Sequence, residues 1–134
     1  MNISQAAYNK VMQSWWLLKV TYGLLFIIAG ADKFMNLVTD WPKYVSQLVL
    51  NMFSVNAQQF IWGVGIIEII IGLAILLFAT RVGAYLAMSW LLIIVFNLLA
   101  THGFYDIAVR DTVMAMGALV LAMLTEAQEE LRSI

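Results

Sequence analysis

Apolar residues along this chain gather into four long runs, and the stretches between them hold nearly all of its charge. The clearest run is residues 60–79, FIWGVGIIEIIIGLAILLFA, twenty residues with a single charged one, Glu68. At about 1.5 Å rise per residue it covers roughly 30 Å, the thickness of a bilayer's hydrocarbon layer. No water is available there, so the run must be helical to satisfy its own backbone. Residues 16–31 and 82–100 read the same way. A fourth run, residues 113–124, is too short alone; taken as 108–124 it spans, and then carries Arg110 and Asp111 near one end. Thr80-Arg81 leaves only a tight turn between the second and third runs, which therefore pair as an antiparallel hairpin.

The linking stretches have patterns of their own. Residues 1–14 are polar, with Ala7, Val11, Trp15 and Leu18 at helical spacing, an interfacial lead-in to the first span. Trp15, Trp16, Trp41 and Trp62 read as interface residues, and Lys19 as one that snorkels to the same surface. Trp90 lies near the middle of its span and is expected to pack inside or at a subunit contact. Ala29-Gly30-Ala31 has the small residues of a signal-peptide cleavage site, but two tryptophans precede the apolar core, and the segment reads as a retained span. Residues 34–59 are too polar to span. Thr39, Asp40 and Pro42 form a helix start, and Tyr44, Val45, Leu48, Val49 and Met52 then share one face. This predicts an amphipathic helix over residues 41–53, lying on the membrane or covering the bundle. The fold class is all-α: an integral membrane antiparallel four-helix bundle with an additional interfacial helix between spans one and two, in a single domain over residues 1–134.

Composition agrees with this pattern. Of 134 residues, 63% are hydrophobic and 11% charged, against about 45–50% and about 25% in soluble domains. The formal net charge is −1 with no basic run, so nucleic acid is not an expected partner. With no cysteine there is no disulfide, thiol redox or Cys-zinc chemistry. One histidine and no cysteine make a metal site unexpected. Four spans place both termini on one side, with Lys10, Lys19, Arg81 and Arg132; Lys33, Lys43 and Arg110 lie opposite. That slight excess orients the termini to the cytoplasm.

The same topology sorts the polar groups. Asp32 and Lys33 end span one, Glu68 lies in the far half of span two, Asn97, Thr101 and His102 end span three, and Arg110 and Asp111 begin span four. All fall in the leaflet away from the termini. An ionisable group inside a span costs about 2.5–3.5 kcal/mol on insertion scales and is usually turned inward and partnered. Glu68 is therefore expected to face the interior, with Lys33 as first partner and His102 next. Two readings stand: a charge-paired cap that is purely structural, and a polar pocket of Lys33, Glu68, Asn97, His102 and Asp111 that holds a small acid or a quinone headgroup. Spans one and two also echo each other, with Gly23 and Gly30, and Gly65 and Gly72, each seven apart. Small residues at that spacing let helices approach closely.

The stretch Tyr22-Gly23-Leu24-Leu25-Phe26-Ile27-Ile28-Ala29-Gly30, followed by Lys33, resembles the DoxX-like four-helix membrane proteins, as does Gly65-x-x-Glu68-x-x-x-Gly72-x-x-x-Leu76-Leu77. The resemblance implies a compact bundle in a bacterial-type inner membrane, and singles out Lys33, Glu68 and Asp111. It also implies that some relatives are small membrane subunits of a thiosulfate:quinone oxidoreductase and that others accompany redox-stress enzymes.

Three functions follow as expectations. The first is a membrane subunit or scaffold without catalysis of its own, assembling with other membrane proteins or with copies of itself in the lipid bilayer. The second is a quinone-interacting subunit of an oxidoreductase with its pocket around Glu68. The third is a small-molecule carrier or channel, disfavoured because one leaflet lacks polar residues along any path. No cofactor is demanded by the sequence; a quinone is the one the pocket admits.

Overall fold

The structure, a computed structural model, describes residues 3–134. Five α-helices make it up: α1 (Gln5–Asp32), α2 (Gln47–Phe53), α3 (Ala57–Leu73), α4 (Thr80–Thr101) and α5 (Tyr105–Ser133). A 3₁₀ turn, Trp41–Tyr44, precedes α2, and a π-helical turn, Ala74–Phe78, extends α3. Four helices are long and apolar enough to cross a membrane, and among the described residues there is no strand. The chain is an all-α integral membrane protein.

The outer helices are longer than their apolar runs. Ser4 caps α1 by accepting from the backbone N–H of Ala7 at 3.1 Å, so the polar lead-in and the first span are one helix of 28 residues. The first two residues of the lead-in lie outside the described residues. α5 begins at Tyr105 and has 29 residues, which places Arg110 and Asp111 in its second turn. At about 1.5 Å per residue both helices reach about 42 Å, beyond the hydrocarbon and into the headgroups.

The link between spans one and two differs from a single helix over residues 41–53. Pro42 sits in the 3₁₀ turn, and Asp40 offers it no side-chain cap. Val45 is extended, and α2 starts afresh with Ser46 Oγ accepting from Val49 N–H at 3.3 Å. The break has a tertiary cause. The Asn97 side chain on α4 donates to Tyr44 O at 2.7 Å and accepts from Ser46 N–H at 3.0 Å. One amide thus takes two backbone groups that a continuous helix would have used internally.

Helices α1 and α3 pack through their glycines. A Cβ on Gly65 would lie 2.7 Å from Gly30 O, and one on Gly72 would lie 2.8 Å from Gly23 O. The two seven-residue spacings therefore face each other in antiparallel register, Gly30 against Gly65 and Gly23 against Gly72. Helices α4 and α5 meet through fully buried alanines, Ala84, Ala87, Ala115, Ala118 and Ala122. Hydrogen bonds join α1 to α5: Trp15 Nε1–H donates to Thr125 Oγ1 at 3.0 Å, and Tyr22 O–H donates to Met114 O at 2.7 Å. Trp15 is buried while Trp16 is half exposed, so only Trp16 is turned outward as an interface residue must be. Neighbours on a helix point about 100° apart, and one of the two had to face in.

Helices α3 and α4 touch mainly beside their connecting turn and diverge towards the far side. There Thr80 Oγ1 donates to Ile75 O at 2.7 Å, and Gly83 lets the fully buried Ile75 against the backbone of α4. The terminus-side half of the bundle is a closed apolar core; the far half is not.

Candidate functional site

The divergence of α3 and α4 leaves a cavity of about 1230 Å³, lined by all four long helices, the 3₁₀ turn and α2. Its walls are mostly apolar. Phe60, Gly63 and Ile67 of α3 and Ile93, Phe96 and Ala100 of α4 line it at helical spacing. Ile67, Ile93 and Phe96 are also exposed on the outer surface, so the cavity opens sideways, towards where lipid lies.

A cluster of charge is set into this wall. The close approach of Gly30 and Gly65 brings the end of α1 against the middle of α3, with Lys33 Cβ only 3.1 Å from where a Gly65 Cβ would be. From there Lys33 Nζ reaches Glu68 Oε2 at 2.7 Å, with both side chains 5% exposed. The ammonium also lies 3.7 Å from the centroid of the Trp41 ring and donates to Ala29 O at 3.5 Å. Glu68 Oε1 accepts from Trp90 Nε1–H at 3.3 Å. The other oxygen, Oε2, is the one that the Lys33 ammonium meets, so each carboxylate oxygen has a partner.

Two more carboxylates flank the pair. Asp32 accepts from Leu37 N–H, from Val38 N–H and, at 2.7 Å, from Trp41 Nε1–H. It thereby folds the chain after α1 back on itself and lays the Trp41 ring over Lys33. Asp111 is buried, and Arg110 grips its Oδ1 through Nε at 3.0 Å and Nη2 at 2.9 Å. The Arg110 side chain is 59% exposed and links the cluster to the surface.

Of the five residues singled out from the sequence, Lys33, Glu68, Asn97 and Asp111 line the one cavity. Asn97 is engaged by the backbone at both ends of its amide and acts there as a clamp on the cover segment. His102 does not join them. It caps α4 in the left-handed conformation, φ 57°, with its side chain exposed. Among the described residues no group of three His, Cys, Asp or Glu side chains could hold a metal.

Two aromatic members escaped the sequence reading as site residues. Trp41 looked like an interface residue, and no local signal marks its return to Asp32. Trp90 did carry a signal. Glu68 and Trp90 stand eleven residues before and after Ala79, the only non-helical residue of the hairpin turn. Equal counts on two antiparallel helices place them at one depth.

Comparison with known proteins covers most of this site. The DoxX family model matches residues 14–104, about two thirds of the chain, including Lys33, Trp41, Glu68, Trp90 and Asn97 but not Asp111. No curated protein and no solved structure matches the chain. With four membrane-length helices and that matched span, the chain belongs to the DoxX family of membrane proteins.

Proposed function

We propose that this chain is a small membrane subunit that offers a binding site for a quinone-class molecule and receives electrons through a partner protein. One observation carries the reading: a laterally open, apolar cavity with a buried ion pair in its wall. A bare scaffold needs no such space, and a well-packed bundle would fill it. Membrane ligand sites are mostly apolar with a few placed polar groups, as here. The residues suit the ligand: aliphatic walls for an isoprenoid tail, a mouth facing lipid, and a carboxylate–ammonium pair for a polar ring. Bound there, a quinone supplies two-electron, two-proton chemistry. The chain's own part is narrower. Lys33 and Trp90 hold the Glu68 carboxyl in place, and the closed terminus-side core keeps water out. The closed core also disfavours a carrier or channel. The compartment that fits is a bacterial inner membrane with cytoplasmic termini.

Gly63 makes the test clean. It lines the cavity, and a Cβ there meets nothing within 4 Å, so Gly63→Leu fills the mouth without forcing the backbone. Protein extracted from its native membrane into nanodiscs should carry a quinone detectable by mass spectrometry. Gly63→Leu should fold, keep its partners and lose that quinone at least about tenfold. A wild-type preparation without quinone, or equal retention in both, would leave the scaffold as the better reading.

A further inference from the structure

Helices α3 and α4 set a depth scale for the far leaflet. Residues 57–78 and 80–101 are 22 residues each, about 33 Å at about 1.5 Å per residue, so both cross the hydrocarbon from end to end. α1 stops short of their far ends. Gly30 faces Gly65, which lies well inside α3, and α1 ends two residues later at Asp32. By the same rise, its last residue sits about 9 Å below the start of α3. Phe34 agrees with this depth, since its ring edge lies 3.0 Å from where a Gly65 Cβ would be. Asn36, two residues on, donates from Nδ2 to Gln58 Oε1 at 3.4 Å, in the first turn of α3. Residues 34–38 therefore climb out of the far leaflet as non-helical chain.

Irregular backbone at that depth is tolerated only where the protein itself meets its polar groups. Here every N–H from Lys33 to Val38 has an internal acceptor. Those of Lys33, Phe34, Met35 and Asn36 go to carbonyls at the end of α1. Those of Leu37 and Val38 go to the Asp32 carboxylate, at 2.9 and 3.1 Å. Asp32 is itself 3% exposed. With the amides turned in, the side chains turn out. Phe34, Met35, Leu37 and Val38 are 45%, 56%, 78% and 75% exposed. A run of large apolar side chains facing water would be a liability; among acyl chains it is anchorage.

We propose that residues 34–38 are a lipid-binding wedge: Phe34, Met35, Leu37 and Val38 insert among the acyl chains of the far leaflet, and Asp32 is the internal cap that lets non-helical chain lie there. A partner protein could cover the same side chains, but the depth of the segment favours lipid. The inference does not depend on the quinone-class reading.

Nitroxide labels on single cysteines test it, because the chain has none of its own. Met35→Cys and Leu37→Cys probe the wedge. Phe96→Cys is the lipid reference, 72% exposed on the far half of α4. Gly103→Cys, exposed in the turn beyond α4, is the water reference. In proteoliposomes, collisions with oxygen report hydrocarbon and collisions with a nickel chelate report water. Labels at 35 and 37 should follow position 96, with an oxygen-to-nickel ratio at least about tenfold above that at 103, because the hydrocarbon layer excludes the chelate. A ratio like that of 103 would place the segment in water and overturn the wedge. Low collision with both reagents would mean that protein covers it, and would overturn it equally. A water-like ratio at 96 would break the depth scale and take the inference with it.

Discussion

Lys33 and Glu68 are each 5% exposed, and each is tolerable in that place only because of the other. Taking two charges out of water is expensive, and their attraction roughly repays it; leaving one of them alone is what destabilises. Lys33→Met should therefore cost about 3–5 kcal/mol, while Lys33→Met combined with Glu68→Leu should cost markedly less. Unfolding in detergent, followed for the four proteins of the double-mutant cycle, measures the difference. Additive effects would mean that the pair is not coupled. Glu68 was conspicuous in the sequence as the one charge in a run of twenty. Lys33 followed as its partner because topology puts the end of span one beside that half of span two. His102 did not behave alike, because a residue just past a helix end is held by the turn, not by the bundle. Its φ of 57° and exposed ring belong to capping.

Among the elements, α1 and α3 are the pair that fixes the site, and glycine fixes the pair. A methyl group on Gly65 would meet Gly30 O at 2.7 Å and Lys33 Cβ at 3.1 Å. Backbone cannot yield as a flexible side chain does, so Gly65→Ala should cost about 1–3 kcal/mol as an overpacked contact. Gly63→Ala, two residues away and facing open space, should be neutral or slightly stabilising. Thermal unfolding of the two variants side by side checks this, and equal melting would mean that α1 and α3 are not in this register. The glycine spacing was legible because a seven-residue repeat is local. The break between the 3₁₀ turn and α2 was not, because it is set by Asn97, 51 residues further along the chain. The true ends of α1 and α5 were hidden for another reason. Hydropathy reports the hydrocarbon thickness, and these helices continue past it on capped, polar residues.

At the scale of the whole molecule, the bundle is asymmetric across the bilayer. Apolar residues close the half nearest the termini, while the cavity, the ion pair and the cover segment occupy the other. The even number of crossings makes the cover segment and the termini lie on opposite sides. Gln47 is exposed at the start of α2, and Gln13 is exposed near the start of α1. The chain contains no cysteine, so Gln47→Cys and Gln13→Cys each provide a single thiol. A membrane-impermeant maleimide added to intact cells should label position 47 and reach position 13 only after permeabilisation. Labelling of both from one side would break the four-crossing topology, and with it the placement of Lys33, Glu68 and Asp111 in one leaflet. Labelling of position 13 alone would keep the topology and invert the orientation. The expected pattern places the cavity in the outer leaflet, with its Arg110–Asp111 edge towards the outer face. On the quinone reading proposed above, the ligand would enter from lipid in that leaflet.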